Sequence, residues 1–66
     1  MNITLNGESR AFEGVKTIEQ LLEALSTHPK TVVVERNGEI VRRPQFEETD
    51  LAEGDVLEVV RFFPGG

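Results

Sequence analysis

The sequence predicts an α+β domain in which two β-hairpins flank one helix and a lone strand closes the chain. Three observations predict it. Asn6-Gly7 and Asn37-Gly38 each stand between strand-like runs, and Asn-Gly is the strongest short hairpin signal because both residues tolerate positive φ. Between those hairpins lies a single stretch with apolar residues at helical spacing. After the second hairpin comes one more β-branched run, which has no turn partner of its own.

Each element follows from local pattern. Ile3 and Leu5 alternate with Asn2, Thr4 and Asn6, the period-two signature of a half-buried strand. The returning strand is expected over roughly residues 8–12, with Phe12 as its core residue, and Glu13-Gly14 breaks it. Thr17-Ile18-Glu19-Gln20 reads as a capping box, with Thr17 accepting from the amide three residues on and Gln20 reaching back to the cap. Ile18, Leu21, Leu22 and Leu25 then form one apolar stripe. His28-Pro29 is expected to end this helix after about ten residues, because proline pushes its predecessor out of the α region. A helix this short needs a sheet to pack on.

Residues 31–36 are rich in β-branched side chains and predict the third strand. The fourth is expected over 39–43, ended by Pro44. Residues 45–51 read as irregular, with at most one helical turn and with Phe46 and Leu51 anchored in the core. Glu53-Gly54-Asp55 is a tight turn. Residues 56–62 form the last strand, more apolar than burial of one face requires. Leu57 and Val59 share one parity; Val56, Val60 and Phe62 share the other with Glu58. One short helix covers only one face, so Val56, Val60, Phe62 and the following Phe63 are candidates for a partner surface.

Composition bounds the function. With 66 residues the chain is one small domain, of a size that buries only about 60% of its unfolded surface. It has no cysteine, hence no disulfide and no thiolate metal site. No apolar run approaches the roughly 20 residues that span a bilayer, and the N-terminus does not read as a signal peptide. A cytoplasmic protein, monomeric when free, is expected. Twelve acidic residues against seven basic give a net charge of −5, which disfavours nucleic acid as a partner; Arg42-Arg43 is too small a basic pair to reverse that.

Catalytic machinery is sparse. His28 is the only histidine, and beside a proline it reads as a loop or capping residue. Ser9 and Ser26 have no base nearby in sequence to activate them. No phosphate-binding glycine loop and no metal-ligand spacing occurs. The remaining candidate for chemistry is Gly65-Gly66, whose α-carboxylate would be the reactive group. Two residues without Cβ keep the backbone slim enough to enter another protein's active site, and Pro64 would hold the approach extended.

From Asn2 to Gly66 the chain resembles the ThiS family of small sulfur carriers, within the ubiquitin-like β-grasp group. The resemblance rests on Asn6-Gly7-Glu8, on Thr17 with Leu21-Leu22 and Leu25, and on Val33-Val34-Glu35-Arg36-Asn37-Gly38 leading to Ile40-Val41. It continues through Leu51, Gly54-Asp55, Leu57-Glu58-Val59-Val60 and Gly65-Gly66. The resemblance implies a mixed five-stranded β-grasp sheet over residues 1–62 and a flexible tail over 63–66. It also implies that the chain is a protein co-substrate and not an enzyme. Gly66 would be adenylated by a ubiquitin-activating-like adenylyltransferase of the ThiF or MoeB type, which uses ATP, and converted to a thiocarboxylate. Its sulfur would pass to a thiazole synthase of the ThiG type in thiamine biosynthesis, with no cofactor bound by the carrier itself. The lead-in Phe62-Phe63-Pro64 is more like MoaD, the small subunit of molybdopterin synthase, so a different sulfur acceptor stays open. So do a protein modifier and a plain interaction module.

Overall fold

A computed structural model describes residues 1–62 of the chain; the expected tail at 63–66 lies outside the described residues. The strands are β1 (Asn2–Leu5), β2 (Glu8–Ala11), β3 (Val32–Arg36), β4 (Glu39–Val41) and β5 (Val56–Arg61), with one helix, α1 (Ile18–Ala24). The sheet order is β2-β1-β5-β3-β4. The two hairpins are antiparallel, and β5 runs between them, parallel to β1 and antiparallel to β3. The sheet is therefore mixed, and its last strand is central.

Both hairpins turn where the dipeptides place them. Asn6 and Gly7 have φ of 50° and 83°, Asn37 and Gly38 of 51° and 86°. Two consecutive left-handed residues match the right-handed twist of the flanking strands.

The helix is shorter than expected, and its stop differs. It ends at Ala24, five residues before Pro29. Ser26 takes a left-handed φ of 54°; its N–H donates to the Glu23 carbonyl and that of Thr27 to the Leu22 carbonyl. This is a Schellman closure with serine where glycine is usual, so no proline is needed to end the helix. At the other end the Thr17 hydroxyl accepts from the Gln20 N–H at 3.2 Å. The reciprocal bond goes one residue further back than a capping box has it, with the Lys16 N–H donating to Gln20 Oε1 at 2.7 Å. The first-turn amides of Ile18 and Glu19 donate to the carbonyls of Thr49 and Phe46, so the irregular segment before β5 satisfies groups the helix itself leaves open.

The core lies between α1 and one face of the sheet. Ile3 and Leu5, Val32 and Val34, and Leu57 meet Ile18, Leu21 and Leu22, with Val15, Phe46 and Leu51 closing the ends. Phe46 and Leu51 thus hold the positions expected of them. Phe12 does so only in part: it falls just after β2 and packs half-buried against the core, with the Arg10 guanidinium 5.2 Å from its ring centre. All four residues of β2 are exposed, as suits a short edge strand. The expected ends of the other strands shorten too. β3 starts at Val32 because Thr31 closes the 3₁₀ turn Pro29–Thr31; β4 stops at Val41, and Pro44 enters a second such turn, Arg43–Gln45. β5 ends at Arg61, though Phe62 still donates its N–H to the Thr31 carbonyl.

Candidate functional site

The site is built around β5, the last strand of the described residues. Two devices fix that strand, and both come from the hairpin turns. The Asn6 side chain continues the ladder that β1 abandons at its turn: Asn6 Oδ1 accepts from the Val59 N–H at 2.8 Å and Nδ2 donates to the Val59 carbonyl at 3.2 Å. One amide side chain thus replaces a backbone peptide along β5. The Asn37 side chain acts at the other end, where Oδ1 accepts from the Val56 N–H at 2.9 Å.

Asn37 is itself held by Asp55. That carboxylate is buried, and it accepts from Asn37 Nδ2 at 3.0 Å, Arg36 Nε at 2.8 Å and the Ala52 N–H at 2.8 Å. Burial pushes the Asp55 carboxyl up. The hydrogen bonds from Asn37, Ala52 and Arg36, with the Arg36 charge, outweigh burial and hold it below the ordinary aspartate range. Beyond the middle of the strand, Arg61 Nη2 donates to Thr27 Oγ1 at 3.2 Å, tying the end of β5 to the loop after α1.

The side chains expected to stay bare on β5 do so on the described part of the chain. Val56, Val60 and Phe62 lie on the face away from α1 and are 44%, 57% and 42% exposed. Phe63, Pro64, Gly65 and Gly66 lie outside the described residues. Two further members, Val33 and Ile40, are exposed as well. The sequence does not mark them, because Val32-Val33-Val34 and Ile40-Val41 are apolar at both parities. The signal was the register itself, which pairs Val33 with Val60 and Ile40 with Glu35.

Little else competes as a site. His28 caps the 3₁₀ turn after the helix, its Nδ1 accepting from the Lys30 N–H at 3.1 Å. Among the described residues no group of three His, Asp or Glu is placed to hold a metal. A shallow cavity of about 300 Å³ opens beside β4, lined by Arg36, Glu39, Ile40, Val41, Gln45, Glu48 and Thr49. No helix among the described residues is long and apolar enough to cross a membrane.

Among the described residues, a five-stranded mixed sheet with one helix on one face and its last strand pinned at the centre defines a ubiquitin-like β-grasp domain. Comparison with known proteins narrows the class. The model of the ThiS family matches residues 3–66, and this chain belongs to that family. It is 37% identical to the sulfur carrier protein ThiS of Bacillus subtilis, over 97% of this chain and 98% of that one. It is 41% identical over its whole length to a thiazole synthase of Paramagnetospirillum magneticum, of which it spans only 20%. The crystal structure of the thiamine biosynthesis protein ThiS from Geobacter metallireducens superposes with a TM-score of 0.84 at 36% identity, covering all of both chains.

Proposed function

We propose that this chain is a sulfur-carrier co-substrate of thiamine biosynthesis, with Gly66 as the residue that bears the sulfur. The observation that carries the reading is the family match, which runs through Gly65-Gly66, together with a near full-length relative named as a sulfur carrier. The chemistry follows from the carboxyl group. With an ordinary pKa of about 3.5 it is an anion at neutral pH and a poor electrophile. A ubiquitin-activating-like adenylyltransferase would join it to AMP from ATP, releasing pyrophosphate. Hydrosulfide supplied by a sulfur donor then attacks the acyl carbon and displaces AMP, and loss of the S–H proton leaves a thiocarboxylate on Gly66. Thiazole synthase is the proposed acceptor, favoured over molybdopterin synthase by the relative in which a segment like this chain forms part of a thiazole synthase.

In this reading the domain supplies position, not catalysis. ATP belongs to the activating enzyme, and the cytoplasm is the proposed compartment. Gly66 is the fourth residue after Phe62, so the chain's reach puts the reactive carbon within about 14 Å of the last described residue. Gly65 keeps that approach slim and Pro64 restricts it. Exposed Val56, Val60 and Phe62 would meet the partner enzymes.

One experiment tests the reading. The chain is incubated with its host's adenylating enzyme, ATP and a sulfur source, and its intact mass is measured. Exchange of one oxygen for sulfur, localised to Gly66 by fragmentation, is the expected result. Conjugates to larger proteins would mark a modifier instead, and an unchanged mass beside a competent enzyme would refute the carrier role.

A further inference from the structure

Strand β4 is an open edge whose backbone and charges complement themselves. Its hairpin with β3 has a two-residue turn, so Arg36 with Glu39 and Val34 with Val41 are the hydrogen-bonded pairs, and Glu35 with Ile40 between them is not. The N–H and C=O of Ile40 therefore point away from β3, to the open side of the sheet. Arg42 is still extended, with φ −75° and ψ 146°. Its N–H points the same way as that of Ile40, and its side chain lies on the same face. Ile40 is 68% exposed, more than any other large apolar side chain described. The other edge, β2, offers only Glu8, Ser9, Arg10 and Ala11, with Arg10 drawn over the Phe12 ring. The groove of about 300 Å³ beside β4 leaves its edge open to an added strand.

The charges along this edge lack partners in the single chain. Cross-strand neighbours share a face, so Glu58, Glu35 and Ile40 form one row opposite α1. Among the described residues the salt bridge formed is Arg36–Asp55, so the two glutamates face each other with no cation between them, and Arg42 has no carboxylate. A second copy, placed by a two-fold axis normal to the sheet at Val41, sets its own Arg42 opposite Ile40. Ile40 N–H then donates to the carbonyl of that Arg42, and the Arg42 N–H donates to the Ile40 carbonyl, each twice by symmetry. The Arg42 carbonyl already accepts from Gln45 N–H, and its second lone pair is available. The row now reads Glu58, Glu35, Ile40 and Arg42 of the second copy. That Arg42 stands two strand spacings, about 10 Å, from Glu35. Its apolar stem covers Ile40 while the guanidinium reaches the carboxylate.

We propose that two copies of this chain pair edge to edge through β4, antiparallel about Val41, with Arg42 of each copy reaching across Ile40 of the other to Glu35. The five-stranded sheet becomes a continuous one across both copies. Three residues of strand on each side bury well under the ~1,200 Å² of a stable interface, so the dissociation constant is on the order of 0.1–1 mM. The dilute chain is monomeric. Pairing leaves Val60, Phe62 and the end of β5 uncovered, and it does not depend on the carrier reading.

The test is sedimentation equilibrium of the full chain from about 10 μM to about 1 mM, with amide hydrogen exchange over the same range. Dimer should accumulate with concentration, and exchange at Ile40 and Arg42 should slow while Ser9 on the other edge is unchanged. Arg42→Glu and Glu35→Arg should each weaken self-association about tenfold by turning both symmetric contacts repulsive. Mixed together, the two variants should pair with each other to within about threefold of wild type, because both contacts are then of opposite sign. Ile40→Pro removes the outward N–H without touching the β3 ladder and should keep the chain monomeric, with thermal unfolding at low concentration showing that it folds. A wild-type chain that stays monomeric throughout, an Arg42→Glu chain that associates like wild type, or a mixture no stronger than its components would each overturn the pairing and leave the carrier reading standing.

Discussion

Replacing Asp55 by alanine removes the one buried carboxylate that ties the second hairpin to the start of β5. Three donors lose their acceptor: Asn37 Nδ2, Arg36 Nε and the Ala52 N–H. Hydrogen bonds to a charged group are each worth about 1.5–3 kcal/mol net. Arg36 is 31% exposed, so its screened ion pair counts for at most about 1 kcal/mol. Asn37 and Ala52 lie where water can take up their freed donors, which puts those bonds at the low end. The sum for Asp55→Ala is a loss of about 2–4 kcal/mol, against a total of roughly 3–10 kcal/mol for a domain of this size. Urea unfolding should show it as a lower midpoint at unchanged slope, and heating as a fall on the order of 10–25 °C. The same carboxylate sets a pH dependence. Its pKa in the folded state lies below that of the unfolded chain, so its contribution is complete above the ordinary aspartate value, about 3.9. That contribution is lost as the pH falls through the lower folded value. Asp55→Asn, which carries no charge to titrate, should therefore differ from wild type most at neutral pH and converge toward it in acid. A loss under about 0.5 kcal/mol for Asp55→Ala, or a gap to Asp55→Asn that stays constant from neutral to acid pH, would refute this account.

Deleting Gly66 should leave the unfolding midpoint unchanged and abolish sulfur loading in the intact-mass assay; a change in midpoint would contradict a tail independent of the core. Val60→Glu, at a position 57% exposed, should change stability by no more than about 0.5 kcal/mol yet weaken binding to the activating enzyme or the acceptor in calorimetry. A large stability loss with normal binding would rule out a partner face there. Asn6→Ala removes both side-chain bonds to Val59 and should cost about 1–2 kcal/mol, with faster amide hydrogen exchange at Val59 as its local signature.

Much of this fold could be read from the chain because its signals are local. The alternation at Ile3 and Leu5, the two Asn-Gly turns and the parity split in β5 each need fewer than ten residues of context. The parity split also predicted which side chains of β5 stay bare. Where expectation and structure part, the deciding partner is distant or the usual signal is missing. Helix α1 stops at a left-handed Ser26, a residue that does not advertise that conformation as glycine would. β2 has no buried face, so no alternation marks its end, and Phe12 reaches the core only in part from just beyond it. Asp55 looked like a turn residue because its partners Arg36 and Asn37 lie 19 and 18 positions away. The adjacency of Glu35 and Glu58 exists only once β3 and β5 are paired.

The two asparagines that fasten β5 also expose it to chemical ageing. In Asn-Gly the next backbone nitrogen, unshielded by any Cβ, readily attacks the side-chain carbonyl, expels ammonia and leaves an aspartate or isoaspartate after hydrolysis. At Asn37 the new carboxylate would face Asp55 Oδ1 across the 3.0 Å that a hydrogen bond now spans. At Asn6 it would confront the Val59 carbonyl. The folded domain opposes both reactions by engaging each amide through its oxygen and its nitrogen. Every excursion that opens β5 releases them, so isoaspartate should accumulate faster in Asp55→Ala than in wild type. The same bonds that pin β5 thus set the domain's shelf life, and damage at either turn loosens its central strand.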